Sequence, residues 1–82
     1  MNNQIEEGLK KIFLNVFQNL KPGDFSFTKN RTEFENWDSL AHMQLVSEAE
    51  GFFNVSFQID EVVGINSPQD LANLIEKKKN AK

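Results

Sequence analysis

Apolar residues recur along this chain at helical spacing, and that period limits what it can fold into. Ile5, Leu9, Ile12, Phe13, Val16 and Leu20 stand at i, i+4, i+7, i+8, i+11 and i+15. On a helix they form one face, which predicts a first helix over 4–20. Glu6–Lys10 and Glu7–Lys11 are i,i+4 pairs in the better orientation, worth about 0.3 kcal/mol each when exposed. Asn2 or Asn3 is suited to cap the start. Lys21-Pro22-Gly23 is suited to end it. Phe17 is expected to widen the buried face and Leu14 to lie in solvent.

A second helical pattern covers 39–53. At about 100° per residue, His42, Leu45, Val46, Ala49, Phe52 and Phe53 share one arc, the expected core face. Leu40, Met43 and Ser47 fall outside it, flanked by Gln44 and Glu50. Gly51 costs about 1 kcal/mol relative to Ala inside a helix and reads as early fraying or a close helix contact. Asn54 suits a left-handed stop. Residues 55–58 alternate, but one such stretch makes no sheet. They are expected to form an extended connector with Val55 and Phe57 turned inward. A short helix follows near 59–64, with Ile59, Val62 and Val63 apolar. Ser67-Pro68-Gln69-Asp70 is the clearest helix start: Ser67 as N-cap, Pro68 first in the helix, Asp70 near the positive dipole end. Leu71, Leu74 and Ile75 give the apolar face of a last helix to about residue 79.

Residues 21–37 form a long connection between the first two helices. A loop beyond about 12–15 residues in a compact domain is usually functional or held by its own side chains. Phe25, Phe27, Phe34 and Trp37 are the residues to hold it, as plugs in the core. The functional alternative is that Trp37 contacts whatever Ser39 carries. Asp24 and Asn30 suit turns. The fold class is all-α: a small four-helix bundle with three long helices, one short helix and a long first loop, as one domain over 1–82.

A chain of 82 residues buries only about 60–65% of its unfolded surface, which leaves little room for an enclosed active site. It has no cysteine and one histidine, so Cys-based and His-cluster metal sites are not expected. The net charge of −3 argues against nucleic acid, which asks for a basic face. Lys77-Lys78-Lys79 and Lys82 read most simply as a solvated helix end. No apolar run approaches the roughly 20 residues of a membrane span. The acidic start, through Glu6-Glu7, is wrong for a signal peptide. A soluble monomer of the cytoplasm is the expectation.

The stretch Asn36-Trp37-Asp38-Ser39-Leu40 organises the rest. It sets a serine hydroxyl at a helix start, among unpaired N–H groups and the positive dipole end. A phosphate ester is favoured there. The plain reading is a capping serine. A hydrolase reading needs His42 as base, three residues on and on the predicted core face. The simpler place for His42 is in the core margin, bonded to the long loop. Glu48 and Glu50 read as solvated, and Asp60-Glu61 as acids opening the short helix.

Taken together, these residues resemble the acyl carrier protein family, including peptidyl carrier domains, over nearly the whole chain. Asp38-Ser39-Leu40 matches the attachment triplet. Leu45-Val46, Phe53-Asn54-Val55, Ile59-Asp60-Glu61-Val62 and Ser67-Pro68 with Leu71 and Leu74-Ile75 fall at family spacing. The resemblance implies a 4′-phosphopantetheine arm placed on Ser39 from coenzyme A by a phosphopantetheinyl transferase, which would hold the magnesium. The arm's thiol would hold acyl or aminoacyl groups as thioesters for a loading ligase and downstream synthases, in fatty acid, polyketide or nonribosomal peptide metabolism. Such a protein is a cosubstrate and not an enzyme. Asp38 would pair with a basic residue of the transferase. Leu40, Met43, Gln44 and Ser47 would meet partner surface, and Glu48 and Glu50 basic rims.

One departure is informative. Many fatty-acid carriers have a strongly acidic second helix, whereas this one opens Leu40-Ala41-His42-Met43-Gln44 with no acid. Trp-Asp-Ser-Leu with a histidine three residues after the serine resembles discrete carriers of dedicated pathways. The competing expectation is an unmodified helical adaptor that docks through Leu40 and Met43.

Overall fold

A computed structural model describes residues 3–80. Among these residues four helices follow one another: α1 (Asn3–Val16), α2 (Ser39–Phe53), α3 (Ile59–Val63) and α4 (Pro68–Asn80). The fold is all-α, and no strand occurs among the described residues. α1 packs against both α2 and α4. Of the expected caps of α1, Asn2 lies outside the described residues and Asn3 already belongs to the helix. Lys82 also lies outside them.

The core is the predicted one in most positions. Ile5, Leu9, Ile12 and Phe13 of α1 meet Leu45, Val46, Ala49 and Phe53 of α2 and Leu71, Ala72 and Ile75 of α4. Truncating a ring as fully buried as Phe13 costs about 3–5 kcal/mol in typical cores. Leu14 is half-buried rather than exposed.

α1 stops at Val16, earlier than the stripe suggests. The Phe17 N–H still reaches Phe13 O at 2.9 Å, but the Leu20 N–H turns to Phe17 O at 2.9 Å, a tighter i to i−3 bond. The turn puts polar Gln18 and Asn19 in solvent while Phe17 and Leu20 both reach the core.

The long loop is held by its aromatics. Phe34 and Trp37 are buried, and Phe25 and Phe27 pack partly against the core. Phe13 contacts Phe17, Phe25, Phe34 and Trp37 at centroid distances of 5.9, 5.5, 5.8 and 5.5 Å. Such ring pairs add about 0.5–1.5 kcal/mol beyond area burial. Two short 3₁₀ turns, Pro22–Asp24 and Arg31–Glu33, occupy the loop, the second closed by Asn30 and Glu33 as a capping box. Its backbone is tied across the fold by Arg31 N–H to Asn66 O at 2.7 Å and Gln69 N–H to Phe27 O at 3.0 Å.

Phe52 corrects the expected core arc: it is 59% exposed. It sits at the edge of that arc, and only its neighbour Phe53 inserts beneath α1. The two rings lie 4.8 Å apart. Gly8 makes the insertion possible, since a Cβ there would fall 2.7 Å from atoms of both rings. Gly51 needs no such contact, because a Cβ there meets nothing within 4 Å. α2 runs on past it to Phe53, where Asn54 takes φ 57°, the left-handed stop.

Val55 and Phe57 turn partly inward from an extended connector. α3 then docks on α4 through Glu61 and Lys78, 2.8 Å apart. α4 starts as expected: Ser67 Oγ accepts the Asp70 N–H at 3.1 Å, and the Asp70 carboxylate accepts the Asn66 N–H at 2.9 Å.

Candidate functional site

The start of α2 is built by a turn, a cap and an anchor. Asn36 takes φ 71°, which asparagine tolerates better than most residues. The Asp38 N–H reaches back to Asn36 O at 2.9 Å, closing a three-residue turn around Trp37. Asp38 is then extended, and its carboxylate accepts the Ala41 N–H at 2.9 Å while its carbonyl accepts the His42 N–H at 2.9 Å. Asp38 is therefore the N-cap, and Ser39 is the first helical residue. This corrects the expectation of a capping serine. The carboxylate expected to meet a transferase is already engaged in the cap.

Ser39 is exposed. With the cap assigned to Asp38, its hydroxyl is not the group that caps the helix start. The Ser39 and Leu40 N–H groups precede the first intrahelical bond and lie at the positive dipole end. A phosphodiester on Ser39 Oγ fits this environment, in solvent and beside backbone donors.

Trp37 does not face the serine. It is buried, and its indole N–H donates to His42 Nδ1 at 3.0 Å. The other ring nitrogen of His42 donates to Val62 O at 2.8 Å. An indole is only a donor and a carbonyl only an acceptor, so the imidazole is the neutral Nε2–H tautomer. His42 bonds to the long loop, as expected, and also to α3. With both nitrogens engaged, the Ser39–His42 relay has no free base.

Leu40 and Met43 are 69% and 55% exposed, with Gln44 and Ser47 also in solvent. α3 adds Ile59 and Val63, 80% and 71% exposed. The His42–Val62 bond sets α3 beside the first turns of α2, so these apolar side chains belong to the same end of the molecule. Sequence reasoning named Ile59 and Val63 without assigning them to the site. The available signal was length: five residues cannot bury apolar groups on every side.

Glu48 and Glu50 are less solvated than expected. Both are half-buried. The Asn15 amide donates to both carboxylate oxygens of Glu48 at 3.1 and 3.3 Å, and Glu50 accepts the Phe57 N–H at 2.9 Å. The first turns of α2 themselves carry no charged side chain between Asp38 and Glu48, so the outer face around Leu40 and Met43 is neutral there.

Two surface clefts, of about 250 and 390 Å³, lie at the end of α1 and between Gly8 and Phe52; Ser39 lines neither. Among the described residues, no group of three or more His, Asp or Glu side chains is arranged to hold a metal. No helix among them is long and apolar enough to cross a membrane. No family model, curated protein or solved structure matches the chain.

Proposed function

We propose that this chain is an acyl-carrier-like protein whose Ser39 hydroxyl is the attachment point for 4′-phosphopantetheine. The observation that carries the reading is a solvent-exposed serine in the first helical position of α2, with a neighbour already serving as cap. When bound, the arm supplies a mobile thiol that holds acyl or aminoacyl groups as thioesters. The chain's own residues do three things. Asp38 fixes the first turn of α2. The Ser39 and Leu40 N–H groups favour the phosphodiester. Leu40 and Met43 offer apolar contact to a transferase, a loading ligase and synthases. The neutral opening of α2 supports a dedicated pathway in the cytoplasm over general fatty-acid synthesis.

Incubation with coenzyme A, magnesium and a broad-specificity phosphopantetheinyl transferase tests the reading. Intact-mass spectrometry should register one added phosphopantetheine, located to Ser39 by fragmentation and lost in Ser39→Ala. A wild-type chain that never gains this mass overturns it. The exposed set Leu40, Met43, Ile59 and Val63 favours a second reading, an unmodified adaptor. It requires Ser39→Ala to support the organism as well as the wild type does.

A further inference from the structure

His42 occupies an unusual place for the one histidine of a chain. It is 7% exposed and stands between the one tryptophan and the end of α3. Its Nδ1 accepts from Trp37 at 3.0 Å and its Nε2–H donates to Val62 O at 2.8 Å. The two bonds respond differently to acid. A proton taken from solvent by Nδ1 uses the lone pair that held the indole N–H, and leaves two donors facing each other. The Nε2–H bond to Val62 O survives the same event. Trp37 is also the centre of the turn formed by Asn36 and Asp38, which delivers the cap and Ser39.

We infer that His42 is an acid-released latch: its neutral imidazole holds Trp37 and the turn before Ser39, and protonation at Nδ1 frees that turn while leaving α3 attached. The inference is independent of what Ser39 carries. Ionisable groups stand on the loop, the cap and α3. The loop supplies the Arg31 guanidinium, 6.0 Å from the Trp37 ring, and the cap supplies Asp38. α3 supplies Asp60 and Glu61, the latter paired with Lys78 of α4. α1 meets Trp37 through Phe13 and Phe17, which do not titrate.

The test uses the unmodified full chain from about pH 8 to about pH 4. Nitrogen-15 NMR of the imidazole should show the neutral Nε2–H tautomer at the upper end, with the Trp37 indole N–H protected from exchange. On acidification, Trp37 emission should shift to longer wavelength and indole protection should fall at least tenfold, while far-ultraviolet circular dichroism stays helical. In His42→Gln the emission step at that pH should vanish. A neutral Nδ1–H tautomer in the wild type overturns the latch, whatever the variant does. So does an emission change that occurs only together with loss of the helical signal.

Discussion

The carboxylate of Glu50 accepts the backbone N–H of Phe57 at 2.9 Å, across the stop where Asn54 turns left-handed. The bond joins the end of α2 to the connector that leads into α3. Glu50 is thereby a structural residue, whatever docks beside it. Glu50→Ala leaves a partly buried N–H without its charged acceptor, and should lower stability by about 1–2 kcal/mol. Glu50→Gln keeps an acceptor and should lose less. Urea denaturation reads the difference, and an unchanged midpoint in Glu50→Ala would show that the bond contributes nothing.

Gly8 and Gly51 should respond to alanine in opposite directions. At Gly51 the new methyl meets nothing within 4 Å and the helix simply gains propensity. The expected gain is about 1 kcal/mol. At Gly8 the methyl falls 2.7 Å from both Phe52 and Phe53. Phe52 is exposed and can swing away, but Phe53 is buried. Overpacking of about 1–3 kcal/mol should exceed the propensity gain and give a net loss. Thermal melts of the two variants decide it, and a stabilised Gly8→Ala would mean that α1 has room to move.

Elements whose borders are set by local chemistry were legible in the sequence. α2 spans the expected residues because its apolar period is unbroken and Asn54 stops it, and α4 begins at Pro68 behind its serine cap. Borders set by distant packing were not. Val16 ends α1 because Phe17 and Leu20 must both reach an aromatic cluster formed by the loop. Phe52 sits at the edge of the core arc of its own helix, where helical phase alone does not decide burial, and its ring stays outside while Phe53 takes the place beside Gly8. At the site, the exposure of Ser39, Leu40 and Met43 followed from helical phase. The cap did not: aspartate and serine are about equally good N-caps, so Asp38-Ser39 fits two registers one residue apart. Val62 could not be read as the second partner of His42, because a backbone carbonyl has no sequence signature.

Glu61 carries a pH dependence that its neighbours set. The Gln58 N–H, 2.7 Å from its carboxylate, and then Lys78, hold its carboxyl below the ordinary glutamate range. A carboxyl depressed in the folded state contributes stability above its unfolded titration, and that contribution is lost as pH falls through the folded one. Wild type should therefore lead Glu61→Gln in denaturation midpoint near neutrality, and the lead should close in the acid range below ordinary glutamate titration. Midpoints measured against pH in both chains give the curve. A gap that persists undiminished into strong acid would assign the effect to packing instead of charge.

Asp38 and Ser39 divide capping from presentation, and mutation should separate the two roles. Asp38 accepts the Ala41 N–H, so Asp38→Ala strips the cap and should cost about 1 kcal/mol, while Asp38→Asn keeps an acceptor and should cost less. Ser39 is exposed in the first helical position, where alanine is an equally good or better helix former. Ser39→Ala should therefore leave stability within about 0.5 kcal/mol of wild type while abolishing the phosphopantetheine mass gain. Denaturation and intact-mass measurements on the same preparations provide both readouts. If Ser39→Ala instead unfolds early, its hydroxyl serves the fold and the lost mass gain says nothing about attachment. If Asp38→Ala is as stable as wild type, the turn around Trp37 alone orders the helix start.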